Sequence, residues 1–214
     1  MSDNLVNFKK SLIKFIKDSV TNVDNGFSTA FTDINEQVYW EWTTYGNRSD
    51  TFPYIYIEKE EDSTLGYGTY SSYEKRDVGG EDKLFKITKE FNVYTVAINV
   101  VSMSTGTNSL SGLAAQDQAN SISRLLRRLL KSDEATLWFS DYQNTFNLPI
   151  GVQSEDLSSI QYLPDYEDTK PKHRFRFTIP FNWTDKYEKE VDIAQSAKII
   201  KINGEDTNII ITPE

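Results

Sequence analysis

Cysteine is absent from these 214 residues, and histidine occurs once, at His173. Without thiols there is no disulfide framework, no thiolate metal site and no cysteine nucleophile. With a single imidazole, any Ser-His-Asp triad must use His173, and no Gly-x-Ser-x-Gly elbow exists to present a serine to it. His173 opens a strand-like run and reads as a surface residue. A phosphate-binding Gly-x-x-x-x-Gly-Lys-Ser/Thr loop, a dinucleotide fingerprint and a His-Glu-x-x-His helix are missing as well. Gly66-Tyr67-Gly68 is no phosphate cradle, because no helical pattern follows it to aim amides at an anion. Carboxylates gather at Glu58, Glu60, Glu61 and Asp62, and again at Asp165, Glu167 and Asp168. They lack EF-hand spacing and read as solvated loop positions. The expectation is a protein with no catalytic residue, no metal and no cofactor.

Long apolar runs are also lacking. No window of about 18 apolar residues occurs, and the N-terminal Met-Ser-Asp-Asn-Leu-Val-Asn-Phe-Lys-Lys has no apolar core of a signal peptide. A chain made in a cytoplasm, with no membrane partner, is expected. The sequons at Asn47 and Asn182 are then chance matches. Basic side chains are the minority, 23 against 32 acidic, for a net charge of −9. Such a surface repels nucleic-acid phosphates, although it suits a passage along which a polyanion slides without sticking. With 38% hydrophobic and 13% aromatic residues, the chain has ample means to fold.

Asp3 to Val20 carries Leu5, Phe8, Leu12, Phe15 and Ile16 at helical spacing, with Lys9, Lys10, Lys14 and Lys17 opposite. Asn25-Gly26 closes this helix, and Val38 to Trp42 is β-like. Phe52-Pro53-Tyr54-Ile55-Tyr56-Ile57 is a short strand entered through proline. From Glu58 to Asp82 the residues read as a long loop or hairpin arm. Leu84 to Met103 returns as a long strand, and the pair flanking the arm forms an antiparallel ribbon. Along that strand the apolar face changes sides. Phe85, Ile87, Phe91 and Val93 hold odd positions, whereas Tyr94, Val96, Ile98 and Val100 hold even ones. Either a one-residue slip intervenes, or both faces are covered, the first half by a second subunit.

Leu110, Leu113, Ile122, Leu125, Leu126 and Leu129 mark a helix to about Lys131, with Arg124, Arg127 and Arg128 near its end. Their charge complements the helix dipole, and their guanidinium forks suit carboxylates on a neighbouring subunit. Ala135 to Phe139 and Leu148 to Val152 read as short strands or turns. Phe175, Phe177, Ile179, Phe181 and Trp183 alternate with polar residues in a half-buried strand that Pro180 places at an edge or bulge. Lys198 to Ile202 and Asn208 to Thr212 flank Asn203-Gly204-Glu205-Asp206 as a hairpin. The fold class is therefore α+β: an antiparallel or mixed sheet with two main helices, a long hairpin arm and a C-terminal hairpin. The division is residues 1–190 as one domain and 191–214 as an extension.

This order of elements, with Phe52 to Ile57, Lys89 to Val100, the helix to Leu130 and the Phe175 to Trp183 strand, resembles the tail terminator or neck terminator proteins of tailed bacteriophages. The resemblance spans about residues 3 to 184. It implies a non-enzymatic virion protein of the neck, assembled in the bacterial cytoplasm as a hexameric ring. The ring would cap the tail tube, end its polymerisation and meet the head-side connector, with DNA only passing through its lumen. The Ser154 to Lys170 segment and the tail after Val191 exceed the smaller family members and suit contacts to a connector or a tail sheath.

Subunit-interface candidates are Arg124, Arg127 and Arg128, with Phe85, Ile87, Phe91 and Val93 as apolar contacts. Tyr67, Tyr70 and Tyr73 form a candidate partner-contact loop. The rival readings are a head-completion, connector or tail-tube protein and, in another class, a carbohydrate- or receptor-binding module that uses these tyrosines with Trp40 and Trp42.

Overall fold

The computed structural model describes residues 3–41, 51–64, 70–104, 109–140, 150–167 and 170–191. In order, they form α1 (Asp3–Thr21), the short turn α2 (Ile34–Gln37), β1 (Val38–Trp40), β2 (Tyr54–Thr64), β3 (Tyr70–Val78) and β4 (Glu81–Met103). There follow α3 (Ser109–Leu130), α4 (Asp133–Ser140), β5 (Gly151–Val152), β6 (Gln161–Glu167) and β7 (Lys170–Val191). The class is α+β, as expected: a mixed seven-stranded sheet, ordered β1-β2-β4-β7-β5, with β3 added to β4 and β6 to β7. The β1–β2 pair is parallel, and the β2–β4, β3–β4, β5–β7 and β6–β7 pairs are antiparallel. The expected C-terminal hairpin, Trp42 and Tyr67 lie outside the described residues.

The chain divides into two compact units, Met1–Leu65 with Phe91–Trp183, and Gly66–Glu90 with Thr184–Glu214. The first has one core. Phe8, Leu12, Phe15, Ile16 and Val20 of α1 and Ala119, Ile122, Leu126 and Leu130 of α3 meet the even-numbered Tyr94, Val96, Ile98 and Val100 of β4. The odd-numbered Phe175 to Trp183 of β7 complete it. Phe8 is fully buried, with its ring centroid 5.0 Å from that of Phe181, 5.3 Å from Trp183 and 5.5 Å from Tyr94. The stripe on α3 is shifted from the expected one. Leu113 is exposed, and Ala115 and Ala119 are buried where small side chains allow close approach.

The second unit contains the ribbon β3–β4, closed by Gly79 and Gly80 at φ 71° and 89°. Two consecutive left-handed residues are the signature of a tight hairpin turn that only glycine adopts freely. Of the two readings of Glu58 to Asp82, a long loop or a hairpin arm, the hairpin arm holds: β2 runs on to Thr64, and β3 begins at Tyr70 and turns back into β4. The ribbon also bears on the expected slip in β4. The register shift lies in β2, between Lys59 and Glu61, and β4 keeps one register against β3 throughout. Its apolar parity changes between Val93 and Tyr94, within the first unit and close to Thr95 and Val96, which face the shift in β2.

Three further expectations need correction. Ala135 to Phe139 lies within helix α4, whose Ala135 and Phe139 are both buried, an i,i+4 pair that anchors one face. β7 is an interior strand, with β4 on one side and β5 and β6 on the other. Pro180 is tolerated there because it lies at the gap between β5 and β6. Thr178 donates its amide to Ser158 Oγ and Pro180 accepts from the Gln153 amide, so the missing N–H faces the gap. The Ser154–Lys170 segment is not merely an extension, since it supplies β6 to the sheet.

Candidate functional site

Residues of α3 beyond its buried stripe line two adjoining clefts of about 500 and 460 Å3. The first is bounded by Asn120, Arg124, Arg127, Ser159, Ile160 and Phe175. The second shares Arg124, Arg127 and Ile160 and continues past Arg128 and Lys131 to Ser132. From Asn120 to Lys131 the helix rises roughly 16 Å, which sets the length of this groove. Its opposite wall is the segment Leu157 to Ile160, held to β7 by the Ser158 amide donating to the Thr178 carbonyl at 3.0 Å. Arg127 is half-buried and spans the groove, its Nε donating to the Ser158 carbonyl at 2.9 Å. Arg124 and Arg128 are exposed. Asp117 is the one carboxylate that α3 places against the three arginines. Among the described residues, none of Arg124, Arg127, Arg128 and Lys131 forms an ion pair.

Dipole complementarity explains only part of this. Arg127 and Arg128 lie in the last turn of α3, but Arg124 lies before it, where the dipole has little reach. Arg124 and Arg128 stand at i,i+4, as do Arg127 and Lys131, and like charges at that spacing destabilise a helix. In a chain of net −9, these four cations cluster with no carboxylate among the described residues that line the clefts, an arrangement able to receive an anionic group.

The expected apolar contacts divide. Ile87 and Val93 are buried within the chain itself, so their covering needs no second subunit. Phe85 and Phe91 remain half-buried. The guanidinium of Arg76 lies 5.3 Å over the Phe85 ring, donates to Glu74 at 2.7 Å, and reaches Glu188 of β7 at 2.9 and 3.2 Å. Hydrogen bonds from Arg76 and, next, from Lys186 hold the Glu188 carboxyl down to about 2.

Tyr70 and Tyr73 lie on strand β3, not in a loop, and are 65% and 63% exposed. Being three residues apart on a strand, they face opposite sides of the ribbon and make no common platform. Trp40 is buried in the core of the first unit beside Phe8, which removes it from any surface aromatic site.

The face of the sheet remote from α1 and α3 is covered by its own long side chains. Tyr39 stacks on Tyr54 and Tyr56, with centroids 6.0 and 6.3 Å apart. Tyr56 OH accepts from Arg174 at 2.9 Å, and burial pushes its phenol up. Arg176 bridges Glu58, at 3.3 Å, and Glu60, while Asn99 donates to Glu58 at 3.1 Å. The first carboxylate cluster is thus partly structural, through Glu58 and Glu60.

His173 is buried, contrary to its expected surface position. It shares the inward parity of Phe175 and Phe177, stacks on Tyr162, and its Nδ1 lies 2.8 Å from the Tyr162 hydroxyl. Burial holds the imidazole below its ordinary value. Among the described residues, no cluster of three or more histidine, aspartate or glutamate side chains is placed to hold a metal ion. Among the same residues, no helix is long and apolar enough to cross a membrane.

The basic run was visible as a sequence pattern. Its counterparts Ile160, Ser159 and Phe175 were not, because the groove joins residues more than thirty positions apart and no local signal marks such a wall. No protein-family model and no curated protein matches this chain.

Proposed function

We propose that this chain is a ring-forming structural protein of a bacteriophage tail, a terminator that caps the tail tube, ends its growth and joins it to the head-side connector. The observation that carries an assembly role is the ribbon unit. Among its described residues, β3, the first part of β4 and the end of β7 bury one apolar side chain, Ile87. A few strands without a hydrophobic core are marginal in water, so a partner that covers the ribbon is the natural source of its stability. The arginine groove supports the same reading, since it offers a neighbour's carboxylates cations that form no ion pair among the described residues.

The mechanism is steric. One face of a six-fold ring continues the tube's subunit interface, and the other lacks the complementary surface, so further tube subunits do not add. The net negative charge suits a lumen that DNA must traverse without binding. Mass measurement and negative-stain imaging, alone and with purified tail tubes, test this. Six-fold rings, or single rings seated on one tube end, are expected. A monomer that ignores tubes overturns the proposal.

A further inference from the structure

The groove beside α3 and the turn of the β3–β4 ribbon carry opposite charges that each lacks a full answer to. We propose that the Asp77–Asp82 turn of one copy seats in the arginine groove of a second copy, an inference that rests on the ring reading and names the contact that would build it. Four features of the turn fit. Glu81 makes no ion pair among the described residues. Asp77 is exposed and uses one oxygen to accept from the Gly80 amide at 2.8 Å. Asp82 pairs with Lys75 at 2.7 Å, a mutually exposed pair that is readily shared. Val78 is 45% exposed beside them.

The groove answers each in kind. Arg124, Arg128 and Lys131 supply cations that form no ion pair among the described residues, and half-buried Ile160, with the small exposed part of Phe175, supplies an apolar surface for Val78. A two-stranded turn with its strands about 4.8 Å apart fits within a groove roughly 16 Å long. That apolar surface, and the net charge of −9, favour a short acidic protein segment over a nucleic-acid backbone, whose phosphates want cations and no floor.

The absence of cysteine makes the test clean. A Val78→Cys chain mixed with a Ser159→Cys chain is treated with a short bismaleimide at low salt. A cross-linked dimer is expected, well above the yield of a control pair in which Leu137→Cys, an exposed position on α4, replaces Ser159→Cys. Arg124→Glu with Arg128→Glu in the acceptor lowers the yield about tenfold, and Glu81→Lys with Asp82→Lys in the donor restores it. Arg124→Gln serves as a milder variant, and a urea midpoint at or above the parent's shows that each variant is folded. Cross-linking no better than the control, or indifferent to charge reversal, overturns the contact. Rings that form despite the reversals sink this contact and leave the ring reading standing. Charge-dependent cross-linking by a protein that neither forms rings nor seats on tubes keeps the contact and sinks the ring reading.

Discussion

Replacing Arg124 with glutamate will stabilise the isolated chain. Arg124 stands at i,i+3 from Arg127 and i,i+4 from Arg128, on a helix whose sole carboxylate is Asp117. Each like-charge pair costs about 0.2–0.5 kcal/mol, and an opposite-charge pair with the acid on the N-terminal side returns a similar amount. Reversing one partner of two pairs is therefore worth about 1 kcal/mol after allowance for exposure. The dipole takes little back, because position 124 precedes the last turn. In a chain of this size the gain corresponds to roughly 3 °C in melting temperature. Urea titration should show a higher midpoint at unchanged slope. The gain should shrink in salt, because the screening length falls from about 10 Å at 0.1 M to about 3 Å at 1 M. A midpoint that stays put or falls, or a gain that ignores salt, would show that Arg124 is already compensated, and the case for a surface held open at a cost would collapse.

Other perturbations report on other parts of the molecule. Phe8→Ala empties the centre of the aromatic core and should cost about 3–5 kcal/mol, lowering the melting temperature by roughly 10 °C; a loss below about 1 kcal/mol would mean the core does not hinge on Phe8. Burial keeps His173 below its ordinary 6.5, so the native state binds fewer protons than the unfolded chain. Stability is then full above about 6.5 and declines as pH falls through the lower native value, and His173→Gln should flatten urea midpoints between about pH 7 and 5. The Glu188 carboxyl is depressed to about 2 by Arg76 first and Lys186 second, so its contribution to stability is full above its ordinary 4.5 and is lost as pH falls toward 2. Carboxyl NMR should place its midpoint there and find it moving toward 4.5 in Arg76→Gln; an unmoved midpoint would refute the assigned partner.

How far the fold could be read depended on how many residues repeat a period. Five apolar positions fixed α1, and Phe175 to Trp183 fixed a strand, because each pattern runs long enough to exclude the other period. The same alternation, extended one step back, put His173 inside with Phe175, so its burial was legible and was overridden by its place near a strand start. Helix α4 offers only Ala135 and Phe139 as anchors, too few to separate a helix from a strand. A local signal existed all the same: Ser132 Oγ accepts the Ala135 amide at 3.4 Å, as a cap does. The change of face along β4 was legible as an anomaly, but not that its partner β2 carries a register shift opposite Thr95 and Val96, since a bulge in one strand leaves no mark in the other's sequence. The basic wall of the groove followed from spacing, and its apolar wall followed from the tertiary fold alone.

A contact between an acidic turn and a basic groove joins two different surfaces, and that fixes the kind of assembly it can build. It is heterologous, so each copy offers one turn and one groove, and association continues until the rotation between neighbours closes a ring or the chain of copies runs on as a filament. The proposed ring must close, which requires the angle between donor and acceptor to be the same at every junction. The Arg76–Glu188 bond acts within the ribbon unit, where Gly79 and Gly80 make the turn short and Arg76 holds β3 to Glu188 of β7, so the turn itself is presented in one way. Loosening the tie should therefore broaden closure before it abolishes contact. In Arg76→Gln, open arcs and rings of mixed size are expected in negative stain at undiminished cross-linking yield. Uniform rings in that variant would place the closure angle elsewhere than in the ribbon.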